Sequence, residues 1–234
     1  MYFIKTYVLL LLLCGNSLLC AQPTSEASVQ HLIKGYQLAA EMEDYEAAKI
    51  QLIQLLALTP RQPYFAALLK LCYQNGDYNQ CVKLAQKFKT YNFEDNASTE
   101  ILAYSNKQLG FNSLALYHFE MLYQNTSEVL YLYEMAQVQL LLNQLEAFTQ
   151  SIEKITSSKA AESKTVSISF TGRDGEIVRQ QVPVKAAAFN LKGHALLNQR
   201  NRKESKQYFI KALEIAPDFT LANGNLASTK FSLF

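Results

Sequence analysis

The sequence predicts an all-α solenoid of stacked helical hairpins, interrupted by one β-hairpin and closed by a C-terminal helix. Three observations carry the prediction. First, the stretch Ala186–Pro217 holds two amphipathic helical patterns of about equal length, separated by a polar turn at Arg200–Lys203 and stopped by a proline. Second, helix–turn–helix patterns start near Val29, Gln62, Asn96 and Val129, which are 33, 34 and 33 residues apart, a regularity expected of repeat architectures. Third, the segment Thr165–Val184 abandons the helical period for strict alternation of apolar and polar residues.

In chain order, residues Met1–Ala21 read as a secretory signal peptide: Lys5, an apolar run from Tyr7 to Cys14, then a looser step at Gly15–Ser17, with cleavage expected after Ala21. The run is too short for a membrane span, which needs roughly 20 apolar residues. A lipid anchor wants a small residue directly before the cysteine, and Leu13 and Leu19 stand there instead. Residues 22–28 form a polar linker, and residues 29–161 hold four hairpins. The first turns at Glu43–Tyr45 and carries Ala48 at a small-residue position; the second turns at Gly76–Tyr78 with Cys81 in that position. The third places Ala103, Gly110, Ala115 and Phe119 in register, and the fourth has Ala136 and the turn Asn143–Leu145, with Phe148 where a small residue is expected.

Residues 162–185 are read as the β-hairpin insertion. Val166, Ile168 and Phe170 alternate with serines, and an Asp-Gly turn follows, the strongest short signal for a hairpin. Pro183 confines its strand to an edge. A two-stranded hairpin is marginal in water, so its apolar face should rest on the helices or on a partner. A fifth helical hairpin spans 186–219, with Phe189, Gly193 and Leu196 on one helix face and Ser205, Phe209 and Ala212 on the other; the small residues permit close approach. Residues 220–234 form a capping helix with Leu221, Leu226 and Phe231, covering the apolar end that a stacked array would expose.

Composition narrows the function. The net charge of +2 comes without any basic run, which argues against nucleic-acid binding. No C-x-x-C, phosphate loop or hydrolase elbow occurs, and His31, His118 and His194 fall in three different hairpins. The reading is therefore no enzyme, no cofactor and no metal. Removal of the leader leaves Cys72 and Cys81 on opposite helices of one hairpin in an oxidising compartment. Two readings stand: a disulfide, or two small apolar core residues.

The 34-residue stretch at 186–219, with its aromatic, Gly, Phe, Ala and terminal Pro, resembles a tetratricopeptide (TPR) repeat. Ser205 stands where that family usually has alanine. The resemblance implies a TPR superhelix whose first helices line a concave groove that holds a partner's peptide or helix. Carried over position by position, that face comprises Ile33, Gln37 and Ala40, then Lys70, Tyr73 and Gln74, then Glu100, Tyr104, Lys107 and Gln108. It continues through Tyr133 and Gln137 to Asn190, His194 and Asn198. The face is neutral, amide-rich and set with tyrosines, which suits adaptable protein contacts. Ile33 and Gln37 replace the first two residues of the family's clamp for acidic chaperone tails, which argues against a cytosolic co-chaperone. The expected role is a non-enzymatic adaptor of the cell envelope, periplasmic or at the outer surface, binding a protein or peptide partner. Two alternatives stand beside it: a constitutive subunit of an envelope assembly docked through the β-hairpin and C-terminus, and a small-ligand accessory.

Overall fold

The computed structural model describes residues 26–93, 95–172 and 175–229. The expected leader at 1–21, most of the linker, the turn residues 173 and 174, and the apolar end at Phe231, Leu233 and Phe234 lie outside the described residues. Twelve helices and one two-stranded sheet occur among those described. They pack as two compact units, residues 26–76 with 87–93, and residues 77–86 with 95–229.

The first unit contains α1 (Glu26–Glu41), α2 (Tyr45–Leu58) and α3 (Gln62–Gln74). Its core is made of leucines from α2 and α3, with Leu52, Leu55, Leu68 and Leu69 fully buried. Phe65 anchors an aromatic group in which Phe88 meets it edge-on at 5.9 Å and Phe93 packs at 5.7 Å. Four large apolar residues of the α1–α2 hairpin, Leu38, Met42, Ile50 and Ile53, are exposed.

Helix α4 (Tyr78–Phe88) passes from one unit to the other. The second unit continues with α5 (Asn96–Gln108), α6 (Asn112–Thr126), α7 (Val129–Leu141), α8 (Leu145–Ser157) and the single turn α9 (Ala160–Ser163). Strands β1 (Thr165–Thr171) and β2 (Ile177–Pro183) follow, then α10 (Val184–Asn198), α11 (Arg202–Ile215) and α12 (Thr220–Ser228). One contiguous core runs from Ala103 to Ala222 and takes in Phe119, Phe148 and Phe219.

Each helical hairpin closes in the same way. A left-handed residue follows the first helix at Glu43, Gly76, Gly110, Asn143 and Arg200, so these residues lie 33, 34, 33 and 57 apart. The amides of Asp44, Phe111, Gln144 and Asn201 then donate back five positions, to the carbonyls of Ala39, Asn106, Gln139 and Leu196, satisfying groups that the helix end leaves open. Side-chain caps then start the second helices: Asp44 accepts from Ala47 N at 3.0 Å and Asn201 from Glu204 N at 3.3 Å.

The α10–α11 pair shows why the small residues matter. Phe209, fully buried, lies against Gly193 so closely that a Cβ there would stand 2.6 Å from the ring. Ser205 Oγ donates to Gly193 O at 2.8 Å across the same contact, so the serine in place of alanine forms a buried hydrogen bond. Phe189, one turn before Gly193, is half-buried beside Tyr208, with ring centroids 6.1 Å apart.

The β-hairpin pairs antiparallel from Thr165↔Pro183 to Thr171↔Ile177. Its apolar face rests on the helices. Val182 and Val184 are buried in the main core, and Val166 and Ile168 pack against it. Gln180 latches the hairpin to the loop before α12: its Nε2 donates to Asp218 O at 2.7 Å, and its Oε1 accepts from Thr220 N at 3.0 Å. The latch caps α12 from another element, since Phe219 has no side chain that can do so.

Candidate functional site

In the second unit, α5, α7, α10 and α12 bring one face each to a cleft of about 580 Å³, and β1 forms its remaining wall. Helix α5 contributes Lys107 and Gln108, and α7 contributes Tyr133, Glu134 and Gln137. From α10 come Asn190, Leu191 and His194, and from α12 Leu221 and Asn225. Across from them stand four consecutive strand residues, Val166–Ser169. Six of the groove residues that the resemblance assigned to this part of the chain, Lys107, Gln108, Tyr133, Gln137, Asn190 and His194, line this space, while Glu100, Tyr104 and Asn198 are not among its walls.

Their chemistry differs from residue to residue. Lys107 is not an open cation: its Nζ forms an ion pair with Glu134 Oε2 and donates to Gln137 Oε1 at 3.2 Å. The Tyr104 hydroxyl donates to the other oxygen of Glu134 at 3.5 Å, while its ring stands edge-on to Phe119 at 5.1 Å. Tyr133 is only 4 % exposed and forms part of the floor. Burial, with Glu134 adjacent, pushes its phenol well above the usual tyrosine range. Asn190 is buried and its Oδ1 accepts from Asn225 Nδ2 at 2.9 Å. His194, Gln108 and Asn198 are exposed. The surface open to a partner is therefore uncharged and rich in amides, with Leu191 and Leu221 as apolar patches.

Glu134 is the residue that sequence reasoning missed. A signal was present: it is the one acid in the apolar run of α7, three residues before Gln137 and so on the same helix face. A buried carboxylate there requires a cation, and Lys107 supplies it.

The groove positions Ile33, Gln37, Ala40, Lys70, Tyr73 and Gln74 belong to the first unit, on α1 and α3. Gln37 and Lys70 are exposed and Tyr73 is half-buried. Cys72 and Cys81 are both buried, on α3 and α4. Burial raises the Cys81 thiol from its ordinary value of 9.0 to about 11, against the opposing effect of a hydrogen bond with Ser105.

Among the described residues no group of three or more His, Cys, Asp or Glu is placed to hold a metal ion. No helix among them is long and apolar enough to cross a membrane.

Residues 186–219 match the family model of the tetratricopeptide repeat. No curated protein matches the chain. Among solved structures, the chain is similar to YrrB, a TPR protein with an unusual peptide-binding site, at 15% identity and a TM-score of 0.64 over 86% of this chain and 91% of that one. It is similar to MamA at 17% identity and a TM-score of 0.60, over 88% and 97% of the two chains. A tetratricopeptide repeat protein from Parabacteroides merdae shares 16% identity with a TM-score of 0.60, over 88% and 73%. At these identities the likeness establishes the fold.

Proposed function

We propose that this chain, which has the fold of TPR solenoids and carries a tetratricopeptide repeat at 186–219, is a non-enzymatic adaptor of the cell envelope. It holds a segment of a partner protein in the cleft formed by α5, α7, α10, α12 and β1. The observation that carries this reading is the cleft itself: a lined space of about 580 Å³ whose charges are closed on one another and whose open groups are amides and leucines. Such a surface suits a peptide backbone with uncharged side chains, and offers no converging acid, base or nucleophile. The peptide-binding site described for YrrB supports the same use of the fold by analogy. The envelope part rests on the leader-like residues 1–21 alone.

Affinity capture from an envelope extract tests the first part. The chain spanning residues 22–234 is expected to retain a protein that the double variant Gln108→Ala/Gln137→Ala retains poorly, both baits showing the same helical circular dichroism. Equal retention by both would remove the cleft as the site. For the second part, the exported protein is expected to begin at Gln22 on N-terminal sequencing, and a cytosolic form beginning at Met1 would overturn it.

A second reading, a constitutive assembly subunit, has one observation in its favour. Leu38 (58 % exposed), Met42 (72 %) and Ile50 (51 %) leave the α1–α2 hairpin with large exposed apolar side chains, the kind that interfaces bury. A partner lost on Met42→Asp but kept by the cleft variant would favour it.

A further inference from the structure

We infer that the free edge of β1 is a strand-addition site, at which an uncharged, extended segment of the partner pairs with the main chain of Ser167 and Ser169. The inference rests on the cleft-binding reading above and specifies its geometry.

The hydrogen-bond register decides which backbone groups are open. Gly172 N donates to Glu176 O at 2.8 Å, and Val184 N donates to Lys164 O at 2.9 Å, at the two ends of the ladder. In an antiparallel pair, bonded and non-bonded positions alternate. With the register Val166↔Val182, Ile168↔Gln180 and Phe170↔Val178, the even positions of β1 therefore face β2. The N–H and C=O of Ser167 and Ser169 point the other way.

That other way is the cleft. Its wall includes all four residues Val166–Ser169, whose side chains alternate between the two faces of the strand, and no residue of β2. A space touching both faces of one strand and nothing of its neighbour borders that strand's edge. The two edges of the hairpin also differ in kind. On β2 the outward positions include Arg179 and Pro183, and both a charge and a missing N–H discourage further pairing. On β1 the outward positions are Thr165, Ser167, Ser169 and Thr171, with no charge and no proline. The unprotected edge is the one that faces the lined cleft.

Main-chain pairing would supply affinity, as in other strand-addition complexes, while alternate side chains of the guest reach Leu191 and Leu221 or the amides of Gln108 and Gln137. Because Lys107 is already closed on Glu134, nothing in the wall asks for a charged guest.

The test begins by selecting binders to the intact chain from a phage-displayed library of short random peptides. The best binder is then synthesised plain and with alternate backbone nitrogens methylated. One alternating set of methylations is expected to weaken binding about tenfold or more, the loss of one or two net hydrogen bonds. Ser167→Pro, which removes an outward N–H that the hairpin does not use, is expected to do the same. Amide exchange should show Ile168 and Phe170 still protected in that variant, and Ser167 and Ser169 newly protected in the wild-type complex. A peptide that binds regardless of methylation and to Ser167→Pro, yet fails on Gln108→Ala/Gln137→Ala, would overturn the edge and leave the cleft reading standing. Indifference to all of these changes would sink both, and no enriched peptide would overturn the edge. Sedimentation showing a dimer that Ser167→Pro dissolves would assign the edge to a second copy and likewise overturn the proposal.

Discussion

At the scale of single residues, shape and burial dominate. Gly193 is required because the ring of Phe209 occupies the place of a side chain. Gly193→Ala is expected to cost about 1–3 kcal/mol through overpacking, read as a lower thermal midpoint with unchanged helical content. Cys81 acts through its proton. Its pKa is 9.0 when unfolded and about 11 in the fold, so the folded state keeps the thiol protonated where the unfolded chain has released it. That contribution is complete below pH 9 and fades as pH rises through 11. Between those values stability should fall with pH, and Cys81→Ala should fall less steeply; equal slopes in denaturant titrations would refute the assignment. Both glycine and cysteine could be read in the sequence as small residues at a helix contact. That Phe209 presses on Gly193 within its own pair, and not on a neighbouring one, could not be read, because helical spacing gives a face and not the residue opposite it.

At the scale of elements, the turns and the latch carry the argument. Five turns adopt one left-handed conformation, but only two of them spend a glycine on it. Glu43 and Arg200 bear the cost of a side chain in that region, and Arg200→Gly is expected to raise stability by about 0.5–1 kcal/mol in chemical unfolding. Gly110→Ala should lower it by a similar amount. The β-hairpin depends on Gln180, whose amide serves both Asp218 O and Thr220 N. Gln180→Ala is expected to cost about 1 kcal/mol and to speed amide exchange at Thr220 in particular. Gly76 was legible as a turn because glycine tolerates positive φ. Arg200 was legible as the start of the polar turn Arg200–Lys203, and Gln180 not at all, since its partners lie roughly forty positions away in the chain.

For the molecule as a whole, the main question is how a groove becomes a site. Glu134, Lys107 and Gln137 join α5 to α7 across that groove. Glu134→Ala would leave the ammonium half-buried without its counter-ion, an expected loss of about 1–3 kcal/mol. Glu134→Gln, which keeps the shape and a weaker bond, should lose less; the reverse order would show that the pair is idle. An inserted hairpin then makes one wall of the cleft, so that what a plain array of repeats would leave as open helix surface is bounded by a strand edge.

The repeat period, the helical hairpins, the strand alternation and the residue types on each helix face all follow from the order of residues. These are local: each follows from periodicity within a few turns or from the rigid spacing of identical units. Tertiary packing alone closes Lys107 on Glu134, sets Tyr133 in the floor, buries Cys72 and Cys81, and turns the open edge of β1 to the cleft. Those outcomes depend on which distant elements meet and at what depth, and a pattern of short-range period carries no term for either.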